Sequence, residues 1–248
     1  MSRPRALVTG GLRRVGRQIA LTLAQAGCDL IVTTRRDADG TGIVEEAAEH
    51  GAAVAIRRLD PGDPEQTEVA ANTIVKEFDR IDILVHNASN YFPTPLTEAS
   101  PGPALDLYKV NALSPLLLTK HLAPKLAASP LPGRGAVISM VDIHAMGRPR
   151  SGFAPYAMAK AALVEMVRSL ARELAPEIRV NGVAPGVVAW PDEGYESDEA
   201  SQETYLGRVP LARPGTPTDA AETVRWLAFN AHYTTGQIIR VDGGRWLT

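Results

Sequence analysis

Short apolar runs alternate along the chain with stretches in which apolar residues recur at helical spacing. Residues 5–9 (RALVT) form the first run, which stops at a Gly-Gly pair as a buried strand would. In the next stretch Val15, Ile19 and Leu23 share one face of a predicted helix. The same pattern predicts seven strands, at residues 5–9, 29–34, 53–57, 82–86, 135–140, 178–183 and 237–241.

Helices are predicted between the strands, at residues 15–26, 41–50, 64–78, 104–127, 154–174 and 217–229. Regular alternation of strand and helix is typical of a parallel sheet with helices on both faces. Each helix brings the chain back to the end of the sheet from which the next parallel strand must start. No linker or internal repeat interrupts the pattern. The sequence therefore predicts one α/β domain over residues 1–248, built on a doubly wound parallel sheet of about seven strands.

Residues 190–215 break this alternation, since they are rich in proline, glycine and acidic residues. The stretch follows the sixth predicted strand, and open α/β sheets bind ligands at the carboxyl ends of their strands. Long loops in compact domains are often functional. We therefore predict a substrate lid at 190–215, the alternative being a solvated surface loop.

Composition narrows the class of protein. The 248 residues are 45% hydrophobic and 22% charged, with a net charge of −2, which is ordinary for a globular protein. Lysine and arginine are spread along the chain, so no basic stripe indicates nucleic-acid binding. Cys28 is the single cysteine, which excludes an internal disulfide. No apolar run could span a bilayer and strand-like sequence starts at about residue 5, so we expect no leader peptide, no membrane partner and a soluble cytoplasmic protein.

A glycine-rich turn lies between the first predicted strand and helix. Thr9-Gly10 and Gly16 bracket it, and glycines in such a turn let backbone N–H groups approach a pyrophosphate that the helix N-terminus also attracts. The complete strand–turn–helix–strand context favours cofactor binding over a plain corner.

The end of the second predicted strand separates NAD from NADP. Enzymes that use NAD place an acid there to hold the ribose hydroxyls. This chain has Thr34-Arg35-Arg36, with Asp37 as the first acid beyond it. Because a guanidinium fork matches a 2′-phosphate, we predict NADP(H) as the cofactor rather than two solvated arginines at a strand end.

Tyr156 and Lys160 lie four residues apart on a predicted helix and therefore share one face. A nearby ammonium favours the phenolate, so we expect Lys160 to lower the pKa of Tyr156 from its ordinary value of about 10. Such a phenol would be a usable proton donor near neutral pH. The pair becomes specific through further motifs, namely Asn87-Ala88 after strand four, Asn111 in a long helix and Pro185-Gly186 after strand six.

Together with Val241-Asp-Gly-Gly near the end, these motifs resemble the short-chain dehydrogenases/reductases over essentially the whole chain. The resemblance implies a Rossmann fold, a homotetramer or dimer (we expect the tetramer), direct hydride transfer from nicotinamide, and proton handling by Tyr156 with Lys160 and Asn111. It assigns cofactor binding to Thr9, Gly10, Arg14, Val15, Gly16, Thr34, Arg35, Arg36, Asp60, Asn87, Ala88, Ser89, Lys160, Pro185 and Gly186.

Departures from the commoner family pattern are similar to the pteridine reductases. Most relatives have Gly in place of Arg14 and Ser in place of Asp142, whereas this subgroup pairs an Arg-x-Gly turn with an Asp. The segment from His86 to Leu96 is also similar, with Tyr91 where that subgroup usually has Phe. The resemblance implies a pterin or folate substrate reduced with NADPH. It assigns ring stacking to Tyr91, hydrogen bonds with the pterin or the cofactor phosphates to Ser89 and Arg14, and the proton-donating pair to Asp142 and Tyr156.

Two other functions stay open. A 3-oxoacyl thioester reductase would use the same scaffold, although Asp142 and Arg14 argue against it because that subgroup normally has Ser and Gly there. A non-catalytic NADP-binding protein would have no need of the intact catalytic group. His86, His144 and His232 lack ligand spacing, so we expect no metal.

Overall fold

The structure, a computed structural model, describes residues 3–36, 39–191 and 196–248. Its centre is a seven-stranded sheet of strand order β3-β2-β1-β4-β5-β6-β7, in which every neighbouring pair is parallel. The predicted doubly wound parallel sheet is therefore confirmed. The strands are β1 (Arg5–Val8), β2 (Asp29–Thr34), β3 (Val54–Arg58), β4 (Ile83–His86), β5 (Gly135–Met140), β6 (Ile178–Pro185) and β7 (Ile238–Val241).

Helices cover both faces of the sheet and bury two separate apolar cores. Successive side chains of a strand point to opposite faces, so Ala6 and Val8 of β1 join one core while Leu7 joins the other. The first core receives α1, α2 and α8, and the second receives α3, α5 and α6. The helices are α1 (Arg14–Gln25), α2 (Thr41–Ala48), α3 (Pro64–Glu77), α4 (Pro101–Tyr108), α5 (Ser114–Ala127), α6 (Ala154–Glu173), α7 (Glu199–Leu206) and α8 (Pro217–Phe229).

The strand order reverses between β1 and β4. The chain runs outward from β1 through β2 to β3, and then continues on the other side of β1 from β4 to β7. The chain therefore continues in opposite directions across the sheet after β1 and after β4, and sheets of this kind bind ligands at the carboxyl ends of the strands at such a point. Among the described residues, the longest and most apolar helices still fall short of what crossing a membrane requires.

The helix predicted at 104–127 differs from the observed one. The observed helical segment begins at Pro101, and a π-helical turn, Lys109–Leu113, divides it into α4 and α5. Pro115 lacks the N–H that an unbroken α-helix would donate to the carbonyl of Asn111, so the backbone widens before it. The turn is centred on Asn111.

The segment 190–215 is also more regular than predicted, because it contains α7. The Asp198 side chain accepts a hydrogen bond from Ser201 N at 2.8 Å and so caps the helix, and Glu199 lies in its first turn. Two of the acids that indicated a solvated loop, Asp198 and Glu199, are thus helix-start residues. Residues 192–195 lie outside the described part of the chain, as do Asp37 and Ala38.

Candidate active site

The glycine turn after β1 is held against the loop after β4 by a network around Thr9. Thr9 Oγ1 accepts hydrogen bonds from the backbone N–H groups of Asn87 (2.9 Å) and Ala88 (3.0 Å). The Asn87 side chain donates to the carbonyl oxygen of Thr9 at 2.9 Å. A Cβ at Gly16 would overlap the carbonyl oxygen of Gly10, so this close approach requires glycine. The hydrogen bonds of Thr9 thus hold the turn in place against the loop after β4.

A cavity of about 450 Å³ opens where this turn, the end of β2 and the loop after β4 meet. The N-terminus of α1 faces it with backbone N–H donors, and Arg13, Arg14 and Arg35 add positive charge. This wall fits an elongated anion such as a pyrophosphate. We call it the cofactor cavity. The predicted cofactor residues in its lining are Gly10, Arg14, Val15, Gly16, Thr34, Arg35, Asn87, Ala88 and Ser89.

Other predicted cofactor residues have different surroundings. Asp60 turns its carboxylate to the N–H of Gly62 at 2.9 Å, while its neighbours Leu59 and Pro61 line the cavity. Arg36 is exposed, and its carbonyl oxygen accepts a hydrogen bond from Thr34 Oγ1 at 2.9 Å. Pro185 and Gly186 line the neighbouring substrate cavity described below. Arg13, which the sequence reasoning did not single out, lies in the wall.

The predicted proton-donating pair is brought together. Tyr156 Oη donates to Asp142 Oδ2 at 2.8 Å, and the other oxygen, Asp142 Oδ1, accepts from His144 N at 2.7 Å. Lys160 is buried one turn further along α6, and its Nζ donates to the carbonyl oxygen of Met140 at 2.8 Å. The carboxyl end of β5 and the start of α6 thus place a phenol, a carboxylate and an ammonium around one point.

The expectation that Lys160 lowers the pKa of Tyr156 is wrong. Burial, and then the adjacent Asp142 carboxylate, raise the pKa of Tyr156 well above its ordinary value of 10.0. Lys160 Nζ lies 6.0 Å from the centre of the Tyr156 ring and does not offset these two effects. Burial also lowers the pKa of Lys160 to about 8, against the influence of Asp142. The Tyr156 phenol is therefore protonated at neutral pH.

Within the described part of the chain, Asn111 forms its hydrogen bonds with the loop after β4 and not with Tyr156 or Lys160. Its Oδ1 accepts from Ser89 Oγ (2.8 Å) and from Asn90 N (3.1 Å), and its Nδ2 donates to the carbonyl oxygen of Asn90 (2.9 Å). The π-helical turn carries this buried side chain toward the loop. Asn111 and Ser89, both predicted site residues, are thus joined.

A second cavity of about 220 Å³, which we call the substrate cavity, adjoins the predicted proton-donating pair. Tyr91, Asp142, Tyr156 and Arg14 lie in its wall, together with Trp190. Arg14 lines both cavities, and so joins the cofactor turn to the substrate side. The structure therefore brings together four of the five predicted substrate residues, Arg14, Tyr91, Asp142 and Tyr156, whereas the fifth, Ser89, lies in the wall of the cofactor cavity.

Tyr91 is packed within an aromatic group. Its ring stacks on Phe153 with centres 4.9 Å apart and an angle of 20° between the planes, and it meets Tyr156 edge-on at 4.9 Å. Arg150 Nη1 donates to Tyr91 Oη at 2.6 Å. Phe153 thus lies against the ring that was predicted to stack on a ligand.

Two arginines bind the segment that follows β6. Arg14 Nη2 donates to the carbonyl oxygens of Ala189 (3.3 Å) and Trp190 (2.7 Å), and Arg150 forms an ion pair with Glu196. Sequence reasoning missed Arg150 and Glu196, because residues 46 apart in the chain carry no local signal of their contact. Phe153 could have been found, since it immediately precedes the helix of Tyr156.

The histidines have structural partners. His86 is buried and shares a hydrogen bond with Thr119 Oγ1 at 2.8 Å, and burial lowers its pKa to about 3. His144 Nδ1 is 3.0 Å from the carbonyl oxygen of Arg148, and His232 Nε2 is 2.6 Å from that of Phe229.

The single cysteine, Cys28, is buried, and its pKa is raised to about 12, mainly by that burial.

The fold and the site define a class of protein. A family model described as enoyl-(acyl carrier protein) reductase matches residues 11–245. The chain belongs to the short-chain dehydrogenase/reductase family, whose members are oxidoreductases that use a nicotinamide cofactor.

Several relatives are similar in sequence to this chain over almost its whole length. Pteridine reductase 1 of Leishmania tarentolae is 32% identical, covering 99% of this chain and 97% of that protein. The 3-oxoacyl-(acyl-carrier-protein) reductase FabG of Staphylococcus aureus is 33% identical, covering 98% of each. The structure of acetoin dehydrogenase YohF from Salmonella typhimurium is 29% identical with a TM-score of 0.87, covering 99% of this chain and 97% of that one. Identity alone therefore does not choose among their substrates.

Proposed function

We propose that this protein is an NADPH-dependent pteridine reductase that acts on a dihydropterin, a pterin or dihydrofolate. The observation that carries the proposal is the 2.8 Å hydrogen bond between Tyr156 Oη and Asp142 Oδ2 in the wall of the substrate cavity. Reduction of a ring C=N bond requires a proton at nitrogen, and a carboxylate beside the donor phenol can relay that proton. A simple ketone reductase needs the phenol but not the carboxylate.

The charge around the cofactor cavity supports NADPH in preference to NADH. Arg13 and Arg35 lie in its wall, and Thr34 stands where an acid would hold free ribose hydroxyls. A guanidinium is the side chain best suited to a 2′-phosphate. The bound nicotinamide supplies the hydride, and the residues of this chain bind the cofactor and handle the proton.

Three side chains divide the work on the proton. Tyr156 holds it at Oη, since burial and Asp142 raise the pKa of the phenol. Asp142 is oriented by the His144 N–H and, being half-buried, can take up a proton from solvent and return it to Tyr156. The Lys160 ammonium, 6.0 Å from the ring centre, stabilises the phenolate left after donation.

The shape of the substrate cavity also suits a flat ring. Tyr91, Tyr156 and Trp190 give it aromatic walls, and Asp142 and Arg14 place a hydrogen-bond acceptor and donors among them. Aromatic faces with a few convergent polar groups are what a nitrogen-bearing heteroaromatic ring requires.

A 3-oxoacyl thioester reductase is the second candidate. The 33% identity with a protein named for that activity favours it. Such an enzyme would use Tyr156 and Lys160 in the same way and would leave Asp142 without a part in the chemistry.

A substrate panel separates the two functions. NADPH oxidation would be followed with dihydrobiopterin, biopterin, dihydrofolate and an acetoacetyl thioester, with Tyr156→Phe as the inactive control for each. We expect turnover of at least one pterin or folate and little of the thioester. Reduction of the thioester alone would overturn the proposal and favour the second candidate.

A further inference from the structure

A third cavity of about 510 Å³ lies beside the substrate cavity. The two cavities share His144, Arg150, Glu196 and Tyr205 in their walls. The far wall comes from α7 and from the loops that carry Arg148, Arg208 and Arg245, and we call this the arginine cavity.

The described lining of this cavity has an excess of positive charge. Glu196 is the acid in it, and its carboxylate is already paired with Arg150. Arg148, Arg208 and Arg245 add three guanidinium groups without an acid to balance them in the described wall. Three arginines with no acid beside them in the described wall of one cavity favour an anionic ligand.

Arg245 provides an independent sign of a missing partner. Its side chain is only 5% exposed, and its Nε has no hydrogen-bond acceptor among the described residues. The guanidinium lies over the ring of Tyr205 at 5.3 Å, and its Nη1 donates to the backbone oxygen and Oγ1 of Thr248, each at 3.3 Å. A buried guanidinium N–H without an acceptor is unfavourable, and no acid in the described wall of the cavity offsets the charge of this side chain.

We propose that the arginine cavity is an anion-binding subsite that holds the acidic arm of the substrate. This inference rests on the proposed function, because it takes the ring to occupy the adjoining substrate cavity. At about 220 Å³ that cavity is small enough to enclose a ring and little more, while the adjoining 510 Å³ gives room for an arm. The glutamyl carboxylates of dihydrofolate have the required chemistry, and a phosphate-bearing arm would share it.

Kinetics with two pterins test the subsite. Dihydrofolate carries the acidic arm and dihydrobiopterin does not. The KM for dihydrofolate divided by the KM for dihydrobiopterin therefore reports on the arm alone. In the double variant Arg148→Ala/Arg208→Ala we expect that ratio to rise about tenfold, since two partly exposed charge contacts would be lost. Arg225→Ala, which removes a partly exposed arginine of α8 paired with Glu222, is the matched control and should leave the ratio as it is. An unchanged ratio in the double variant would overturn the inference.

Direct binding keeps the subsite testable apart from catalysis. Titration calorimetry of the NADP-loaded protein would use p-aminobenzoylglutamate and inorganic phosphate as probes. We expect p-aminobenzoylglutamate to bind to the unmodified protein and the double variant to lose that binding. If this result were obtained with a protein that reduces no pterin, the proposed function would be wrong and the subsite would stand. Phosphate binding alone would keep the subsite and assign it to a phosphate-bearing arm. Equal binding by the variant, or no binding of either probe by the unmodified protein that reduces pterins, would overturn the subsite and leave the proposed function. If the double variant fails to fold, Arg208→Gln alone changes one exposed side chain and should weaken probe binding in the same direction.

Discussion

Replacing Asp142 by serine separates the two tasks of this side chain. Asp142 caps the short helical turn at Ile143–Met146 by accepting from His144 N, and it accepts from Tyr156 Oη through its other oxygen. Serine is a helix-capping residue of similar quality, so the first task survives. Its shorter, neutral side chain cannot maintain the second, and the carboxylate beside the phenol is lost.

The expected loss follows from the type of hydrogen bond removed. A hydrogen bond to a charged group contributes about 1.5–3 kcal/mol, which corresponds to roughly a 10- to 100-fold fall in kcat/KM if it is needed in the transition state. The pKa of Tyr156 should fall toward its ordinary value, because two of the influences that raise it come from Asp142. Burial would still hold it above that value.

Steady-state kinetics with NADPH and a pterin, together with an absorbance titration of the phenol, measure both effects. Thermal unfolding of Asp142→Ser serves as the control and should change little. Unchanged pterin turnover in a folded Asp142→Ser protein would refute the proton-relay role, and an unchanged phenol titration would refute the electrostatic reasoning behind it.

Other predictions follow from the same structure. Tyr156→Phe should reduce turnover by about 10²- to 10⁴-fold while NADPH binding, measured by fluorescence, changes little, because the ring packing stays and the proton donor goes. Replacing Arg35 and Arg36 by alanine should raise the Kd for NADPH far more than the Kd for NADH, and equal use of both cofactors by the unmodified enzyme would refute the assignment. The free energy of unfolding should fall as the pH is lowered from 6.5 toward 3, because the unfolded chain takes up a proton that the buried His86, with its pKa lowered to about 3, does not. His86→Gln should weaken that acid dependence in urea titrations at several pH values, and an unaltered slope would count against it. Light scattering at micromolar concentration should give the mass of a tetramer, and a monomeric mass would contradict the expectation drawn from the family.

The sheet could be predicted because its signals are local. Each strand is a short apolar run, and each of these runs meets a turn or a capped helix within a few residues, as at Asp63 before α3. The spacing of Tyr156 and Lys160 likewise fixed their common helix face. The π-helical turn at Asn111 was missed, although Pro115 was visible in the sequence, because a helical apolar pattern continues through it.

Properties that depend on distant contacts could not be predicted in this way. The direction of the Tyr156 pKa shift depends on burial and on Asp142 across a strand end, and both outweigh the neighbour four residues away. The ion pair of Arg150 with Glu196 joins two irregular segments with no pattern of their own. Arg14 was identified by its departure from family relatives, but its bonds to Ala189 and Trp190 required the folded chain.

The most direct test of the central claim is the transfer of label from deuterated NADPH. The enzyme would be given dihydrobiopterin, dihydrofolate and an acetoacetyl thioester together, and the products would be analysed by mass spectrometry. A pterin reductase with the catalytic pair Tyr156 and Asp142 places one deuterium on carbon in a reduced pterin or folate and leaves the thioester largely unlabelled. Deuterium found in the hydroxyacyl thioester, with every pterin and folate unlabelled, would contradict the claim.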